Sequence, residues 1–231
     1  MRRMGLEPAT SALVRRVFYP SELPAHRAVC PAPKPVKVTH SAAGRDGTNQ
    51  ISGRRGRSLW NLRQVDQPAL IKGKVTTLAD SLEKAEQAGI RICFIDTPPA
   101  LGDQTRDVLR LADLIIIPTR PSSADLWALG STLKLANDVG KPFVFIITQA
   151  KANTRLTLQT MAALSDHGPV ASSILGDRVD YASALIDGRA VLETDRSGIA
   201  AQEVMDLWAG LKERLSENAK GRNSTKGVKH G

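Results

Sequence analysis

Cysteine is nearly absent from this 231-residue chain, and the two that occur, Cys30 and Cys93, form no pattern. They are too few and too far apart for a disulfide framework or a Cys-x-x-Cys metal site. Cys93 falls inside an apolar run and reads as a small buried residue, which suits a reducing cytoplasm. The four histidines, His26, His40, His167 and His230, are scattered without ligand spacing. A Gly-x-Ser-x-Gly elbow, a Cys/His pair and a carboxylate pair are all missing, so the common nucleophilic and acid–base hydrolases find no footing here. No apolar run approaches the roughly 18–20 residues needed to span a bilayer. The basic amino terminus also lacks the apolar core of a signal peptide. Cytoplasmic location is the expectation.

What is present is charge, unevenly spread. Of the net +9, residues 1–58 carry 9 Arg and 2 Lys against 2 Glu and 1 Asp, a net +8. Residues 59–211 hold 15 basic and 18 acidic side chains, and residues 212–231 hold 6 against 2. A slightly acidic globular segment therefore lies between two basic extensions, a distribution that suits contact with a polyanion or simply solvated ends.

Organisation follows the same division. Residues 1–58 sustain no period of 2 or 3.6 and contain six prolines and a glycine-rich polar run, so they are expected to be a disordered or non-native extension. The opening Gly5-Leu6-Glu7-Pro8 is also what the reverse complement of a tRNA-gene T-arm would encode, which fits a reading frame drawn across such a gene. From Trp60 the pattern becomes regular. Val75, Leu78, Leu82 and Ala85 predict a helix, capped by Thr77 with Asp80 and ended by Gly89. Residues 91–96, 114–117 and 143–147 are short apolar runs of the kind that form buried parallel strands. Between them the spacing predicts helices near 104–112 and from Ser122/Asp125 to Gly140. Further helices are expected over 154–164, 179–187 and 198–215, with an extended segment at 170–175. Residues 216–231 are expected to be a disordered basic tail. Strand, helix, strand, helix, strand with short links implies α/β architecture, a parallel sheet flanked by helices in three layers.

Two stretches carry chemistry. Arg91-Ile92-Cys93-Phe94-Ile95-Asp96-Thr97-Pro98-Pro99 places an aspartate at the carboxyl end of a buried strand, where open α/β sheets bind ligands. Leu114-Ile115-Ile116-Ile117-Pro118-Thr119-Arg120-Pro121-Ser122 repeats the design. Together they resemble the ParA/MinD family of deviant-Walker P-loop ATPases, the resemblance running from about Trp60 to Leu215. Gly188 to Glu193, Ser197 to Glu203 and Trp208 continue it. In that resemblance Asp96 corresponds to the Walker B aspartate that assists Mg²⁺ through water, and Thr97 and Pro98 open the second switch loop. Pro118 lies in the strand-end loop, and Gln149 stands where the family carries an asparagine near the nucleotide base. Arg155 and Arg178 are candidate contacts for non-specific DNA.

The family's phosphate loop is not matched. Gly73-Lys74 and Gly140-Lys141 are followed by Val75 and Pro142 rather than a hydroxyl residue, and Gly53-Arg54-Arg55-Gly56-Arg57-Ser58 has arginine for lysine and does not follow an apolar strand. The resemblance implies a partition protein that binds ATP and Mg²⁺, pairs as a homodimer or with an intact ParA-like protein, coats nucleoid DNA and meets a ParB-like cargo adaptor. Without the phosphate loop, the expectation is a truncated member with impaired or no ATP hydrolysis, its P-loop strand absent and the strand ending at Asp96 left with an unpaired edge. The alternatives are a non-catalytic interaction module or a tail-driven nucleic-acid binder.

Overall fold

The computed structural model describes residues 13–17, 36–40, 69–73, 75–90, 92–96, 103–152 and 154–226. Six strands form one sheet: β1 (Leu13–Val17), β2 (Val36–His40), β3 (Ala69–Gly73), β4 (Ile92–Asp96), β5 (Leu114–Thr119) and β6 (Phe143–Ile147). The helices are α1 (Leu78–Gln87), α2 (Asp103–Arg110), α3 (Ser123–Val139), α4 (Arg155–Ser165), α5 (Val179–Ala184), α6 (Val191–Thr194) and α7 (Ile199–Lys226), with 3₁₀ turns at Val75–Thr77 and Leu185–Asp187. The strand order is β3-β2-β4-β1-β5-β6.

β5 and β6 define the layered core. They pair in parallel, Ile115 opposite Phe143 through Thr119 opposite Ile147. On one face Ile115, Ile117, Phe145 and Ile147 pack with Cys93 and Ile95 of β4 and with α1, α2, α3 and α4 through Leu82, Leu109, Leu129 and Leu164. On the other face Leu114, Ile116, Val144 and Ile146 pack against Leu211 and Leu215 of α7. Burial on both faces is why these strands read as continuous apolar runs rather than alternating ones. Each fully buried Ile or Leu contributes roughly 1.5–3 kcal/mol by leaving water. Phe94 reaches Trp208 of α7 with ring centroids 6.3 Å apart, which ties β4 to the same helix.

Local signals set the helix ends. The Ser122 hydroxyl accepts from the Asp125 N–H at 3.1 Å and starts α3. Gly140 ends it at φ 63, a left-handed conformation suited to glycine. Thr154 caps α4 by accepting from the Thr157 N–H. The expected Thr77/Asp80 cap does not form: Thr77 completes the 3₁₀ turn at φ −112, ψ 9, and its side chain makes no cap bond. The segment after α4 lies along β6, with bridges Phe145 to Val170 and Ala150 to Gly176 in place of a full strand.

Three features depart from the sequence reading. Leu13–Val17 and Val36–His40, expected without regular structure, are strands that flank β4 on both sides. The expected unpaired edge at Ile92–Asp96 is therefore filled. The strand in that place is antiparallel to β4 and β5, whereas β2, β3 and β4 run parallel, as do β5 and β6. The last helix also runs past Leu215 to Lys226, since nothing in Ser216–Lys226 is a proline to stop it. The rest of residues 1–58, and residues 227–231, lie outside the described residues.

Gly168 closes the turn after α4 against the edge-on aromatic pair Phe143–Phe145, whose centroids are 5.4 Å apart. A Cβ at Gly168 would sit 2.6 Å from Phe143 Cε2. Gly168→Ala is therefore predicted to lower stability by about 1–3 kcal/mol through overpacking. In urea denaturation, adding Phe143→Leu should recover part of that loss; an unchanged midpoint for Gly168→Ala alone would show the ring yields freely.

Candidate functional site at the carboxyl edge of the sheet

Because β4, β5 and β6 run the same way, their carboxyl ends share one edge. Asp96 ends β4, Pro118 and Thr119 end β5, and Thr148 to Ala150 follow β6. The structure thus brings the backbone of Asp96, Pro118 and Gln149 to a common rim. Thr97 and Pro98 lie outside the described residues. Pro118 is half-buried and in register with Ile146.

Gln149 stands out in its backbone. It is exposed and adopts φ 52, the one positive value outside glycine among the described residues. A non-glycine residue there costs on the order of 1–3 kcal/mol and persists only when its neighbours over-determine it. They do. The Thr148 N–H donates to the Thr119 carbonyl at 3.0 Å, the Ala150 N–H to Leu175 at 3.2 Å, and the Asp177 N–H to Ala150 at 2.9 Å.

Two carboxylates organise the rim. Asp125, buried at the start of α3, accepts from the Arg120 N–H at 3.1 Å, from Arg120 Nε at 3.0 Å and Nη2 at 2.9 Å, and from the Ser122 hydroxyl at 2.9 Å. Burial alone would raise its pKa, but the bonds from Arg120 and Ser122 outweigh that and hold the carboxyl below the usual range. The strand-end loop is thereby closed on itself. The second carboxylate, Glu203 of α7, accepts from Arg178 Nε at 2.9 Å and Nη2 at 2.7 Å, from the Gly176 N–H at 3.0 Å and from the Tyr181 hydroxyl at 2.9 Å. Its pKa too is lowered: burial opposes, and Arg178, Gly176 and Tyr181 prevail. Glu203 pins the Gly176–Arg178 segment to α7.

Arg178, a candidate DNA contact, bonds Glu203 through its guanidinium. Arg155 is exposed at the first position of α4 and makes no ion pair among the described residues. Sequence reasoning missed Glu203 and Arg120 as partners. The Asp125 spacing signalled only a cap, while Arg178 and Glu203 lie 25 residues apart with no local cue. A groove of about 660 Å³ opens beside them, lined by Lys151, Thr154, Leu158, Met161, Arg178 and Glu203. Its size suits a small organic ligand.

A triphosphate–magnesium group needs backbone N–H groups, a lysine and a hydroxyl converging near Asp96. The residues described there do not supply them. β1 enters the sheet with Leu13 opposite Asp96 and ends with Val17 opposite Ile92, so its carboxyl end lies at the edge away from Asp96. Among the described residues no group of three potential metal-ligating side chains occurs. No helix among them is long and apolar enough to cross a membrane.

Two predictions follow from these contacts. Both carboxylates have depressed folded values, so the stability they contribute is complete above the ordinary carboxylate range near pH 4 and is lost as pH falls through their folded values. Glu203→Gln should cost about 1–3 kcal/mol at neutral pH, leaving Arg178 half-paired, and should flatten the acid limb of a stability–pH profile. An unaltered acid limb would exclude Glu203 as a contributor. Separately, the Thr119 hydroxyl is wholly buried with no hydrogen-bond partner among the described residues. Thr119→Val should raise stability by roughly 1 kcal/mol in thermal melts by removing an orphaned polar group; a loss would reveal an unsuspected partner.

Comparison with known proteins supports the architecture. No protein-family model matches the chain. The chain is 24% identical over 152 residues to the maintenance of carboxysome distribution protein A of Halothiobacillus neapolitanus, covering 62% of this chain and 70% of that protein. It is 19% identical over 134 residues to the virulence plasmid ParA family protein pGP5-D of Chlamydia psittaci, covering 56% of this chain and only 52% of that protein. Among solved structures, a ParA family ATPase from Chlorobium tepidum superposes with a TM-score of 0.54 at 19% identity, covering 76% of this chain and 84% of that one. The septum site-determining protein MinD from Pyrococcus horikoshii, complexed with Mg-ADP, superposes with a TM-score of 0.53 at 14% identity, over 81% and 86%. The parallel order of β4, β5 and β6, with helices on both faces, is thus a ParA/MinD-like fold.

Proposed function

We propose that this chain is a ParA-like partition or positioning protein whose ATP hydrolysis is impaired or lost. The observation that carries the reading is the direction of β1. An aspartate at the Walker B place faces a strand that enters where a phosphate loop would have to emerge. Phosphoryl transfer depends almost wholly on positioning and charge stabilisation around the phosphates, so a lone Asp96 does not sustain turnover. Nucleotide contact, if retained, involves the rim at Pro118 and Gln149. DNA contact falls to Arg155 and the basic ends of the chain, and cargo contact to a ParB-like adaptor. Location in the cytoplasm, on nucleoid DNA, belongs to the same reading.

A second reading, a non-catalytic interaction module that pairs with an intact ParA-like protein, is favoured by Trp127. This large residue on the first turns of α3 is 84% exposed, and tryptophan is enriched among residues that anchor interfaces.

Phosphate release from ATP, measured with and without DNA, should stay at the buffer level for the full chain and for Asp96→Ala alike. Turnover in the full chain that Asp96→Ala abolishes would sink the proposal of an inactive site.

A further inference from the structure

The groove beside the Arg178–Glu203 pair is separate from the rim, since neither Pro118 nor Gln149 lines it. Its apolar lining is continuous with the core: Met161 of α4 and Ile174 of the following segment also pack against the layer under α1 to α4. Leu158 joins them and is 65% exposed, a large apolar side chain left facing water. At about 660 Å³ the groove falls within the range of small-molecule sites.

Its charges come in two pairs that differ in kind. Arg178 and Glu203 are bonded to each other. Lys151 and Asp177 are not. The Ala150 N–H donates to the Leu175 carbonyl at 3.2 Å and the Asp177 N–H to the Ala150 carbonyl at 2.9 Å, so the two segments meet in a parallel bridge, Ala150 opposite Gly176. The next residues in register are Lys151 and Asp177, separated by one strand spacing of about 4.8 Å. Both line the groove and both are exposed. Neither forms an ion pair with the other or with any other described residue. An ammonium and a carboxylate thus stand side by side, each open to a ligand, next to an apolar wall.

A ligand matching this lining carries an anion and a cation close together, with an apolar body attached. In a free α-amino acid both charges sit on one carbon. A peptide holds them a chain length apart, a diamine or a dicarboxylate lacks one sign, and a phosphate ester meets Asp177 with like charge. We propose that the groove binds a free α-amino acid with a large apolar side chain. Its carboxylate bonds the Lys151 ammonium, its ammonium bonds the Asp177 carboxylate, and its side chain lies against Leu158, Met161 and Ile174. The two charged contacts fix the orientation, and the flexible thioether of Met161 adapts to the shape. Bound in this way, the ligand ties the segment after β6 to the segment before α5. The inference does not depend on nucleotide chemistry, and its test contains no ATP.

The experiment titrates the full chain with L-phenylalanine by calorimetry and follows amide hydrogen exchange in parallel. The expected result is saturable binding at one site, with slower exchange at Ala150 and Asp177. N-acetyl-L-phenylalanine and L-phenylalaninamide, each lacking one charge, should bind about fivefold more weakly. Glycine, which lacks the apolar body, should bind at least about tenfold more weakly. Asp177→Asn should erase the difference between L-phenylalanine and its acetyl form, and Lys151→Met the difference between L-phenylalanine and its amide. A structural role for either side chain would instead weaken all ligands alike. Should a variant not fold, the ligand series on the unaltered chain decides alone. Three results would overturn the proposal: no saturable binding of L-phenylalanine, equal binding of the acetyl or amide form, or binding that leaves exchange at Ala150 and Asp177 unchanged.

Discussion

The parallel pairing of β5 with β6, buried on both faces, is the constraint from which the rest of the molecule follows. Leu114 through Ile117 and Phe143 through Ile147 must each satisfy two layers at once, so every residue in the pair is apolar up to Pro118. Two helical layers are then required to exclude water, one built from α1 to α4 and the other from α7. The connections must also cross the sheet from edge to edge, which sets all the carboxyl ends on one rim. Nothing at that rim could be placed accurately if the two strands slipped, because a one-residue slip would exchange the two faces.

Stability at the rim comes from two carboxylates rather than from apolar contact. Asp125 closes the loop after β5 upon itself, and Glu203 holds the segment after the β6 layer to α7 across a long span of sequence. The two solve one problem in different ways. Each carboxylate gathers backbone N–H and side-chain donors that would otherwise lack partners, which is the condition for keeping a charge in a half-buried place. Between them Gln149 is held in a conformation it would not choose. The rim is therefore a stiff feature whose shape is set before any ligand arrives.

Much of the fold was legible because its causes are local. The apolar runs at 143–147 and near 114–117, the Ser122 cap and the glycine at Gly140 each announce an element through propensity and pattern, and the elements formed within a residue or two of the expected places. What escaped was decided at a distance. Val36–His40 alternates for only five residues, and Leu13–Val17 does not alternate at all; each is a strand because β4 offers it a ladder. Ladder pairing is a tertiary gain that overrides weak local preference. The site divides in the same way. The place of Asp96, Pro118 and Gln149 at the strand ends is legible because each closes or follows an apolar run, whereas the pairing of Arg178 with Glu203 requires the chain to fold α7 back over the sheet. An isolated arginine in a sequence offers no sign of whether it faces water or a carboxylate.

The final helix carries its own implication. Leu215 is the last residue of α7 in the apolar layer, yet the helix continues to Lys226. At 1.5 Å per residue the extension adds roughly 16 Å of rod beyond the packed part. The backbone from Ser216 to Lys226 thus advances by helical rise rather than as a fluctuating coil. A coil samples a volume that grows with its length, whereas a rod follows a line fixed by the packing of Leu211 and Leu215. The direction in which the final helix reaches is accordingly written into the core of the protein.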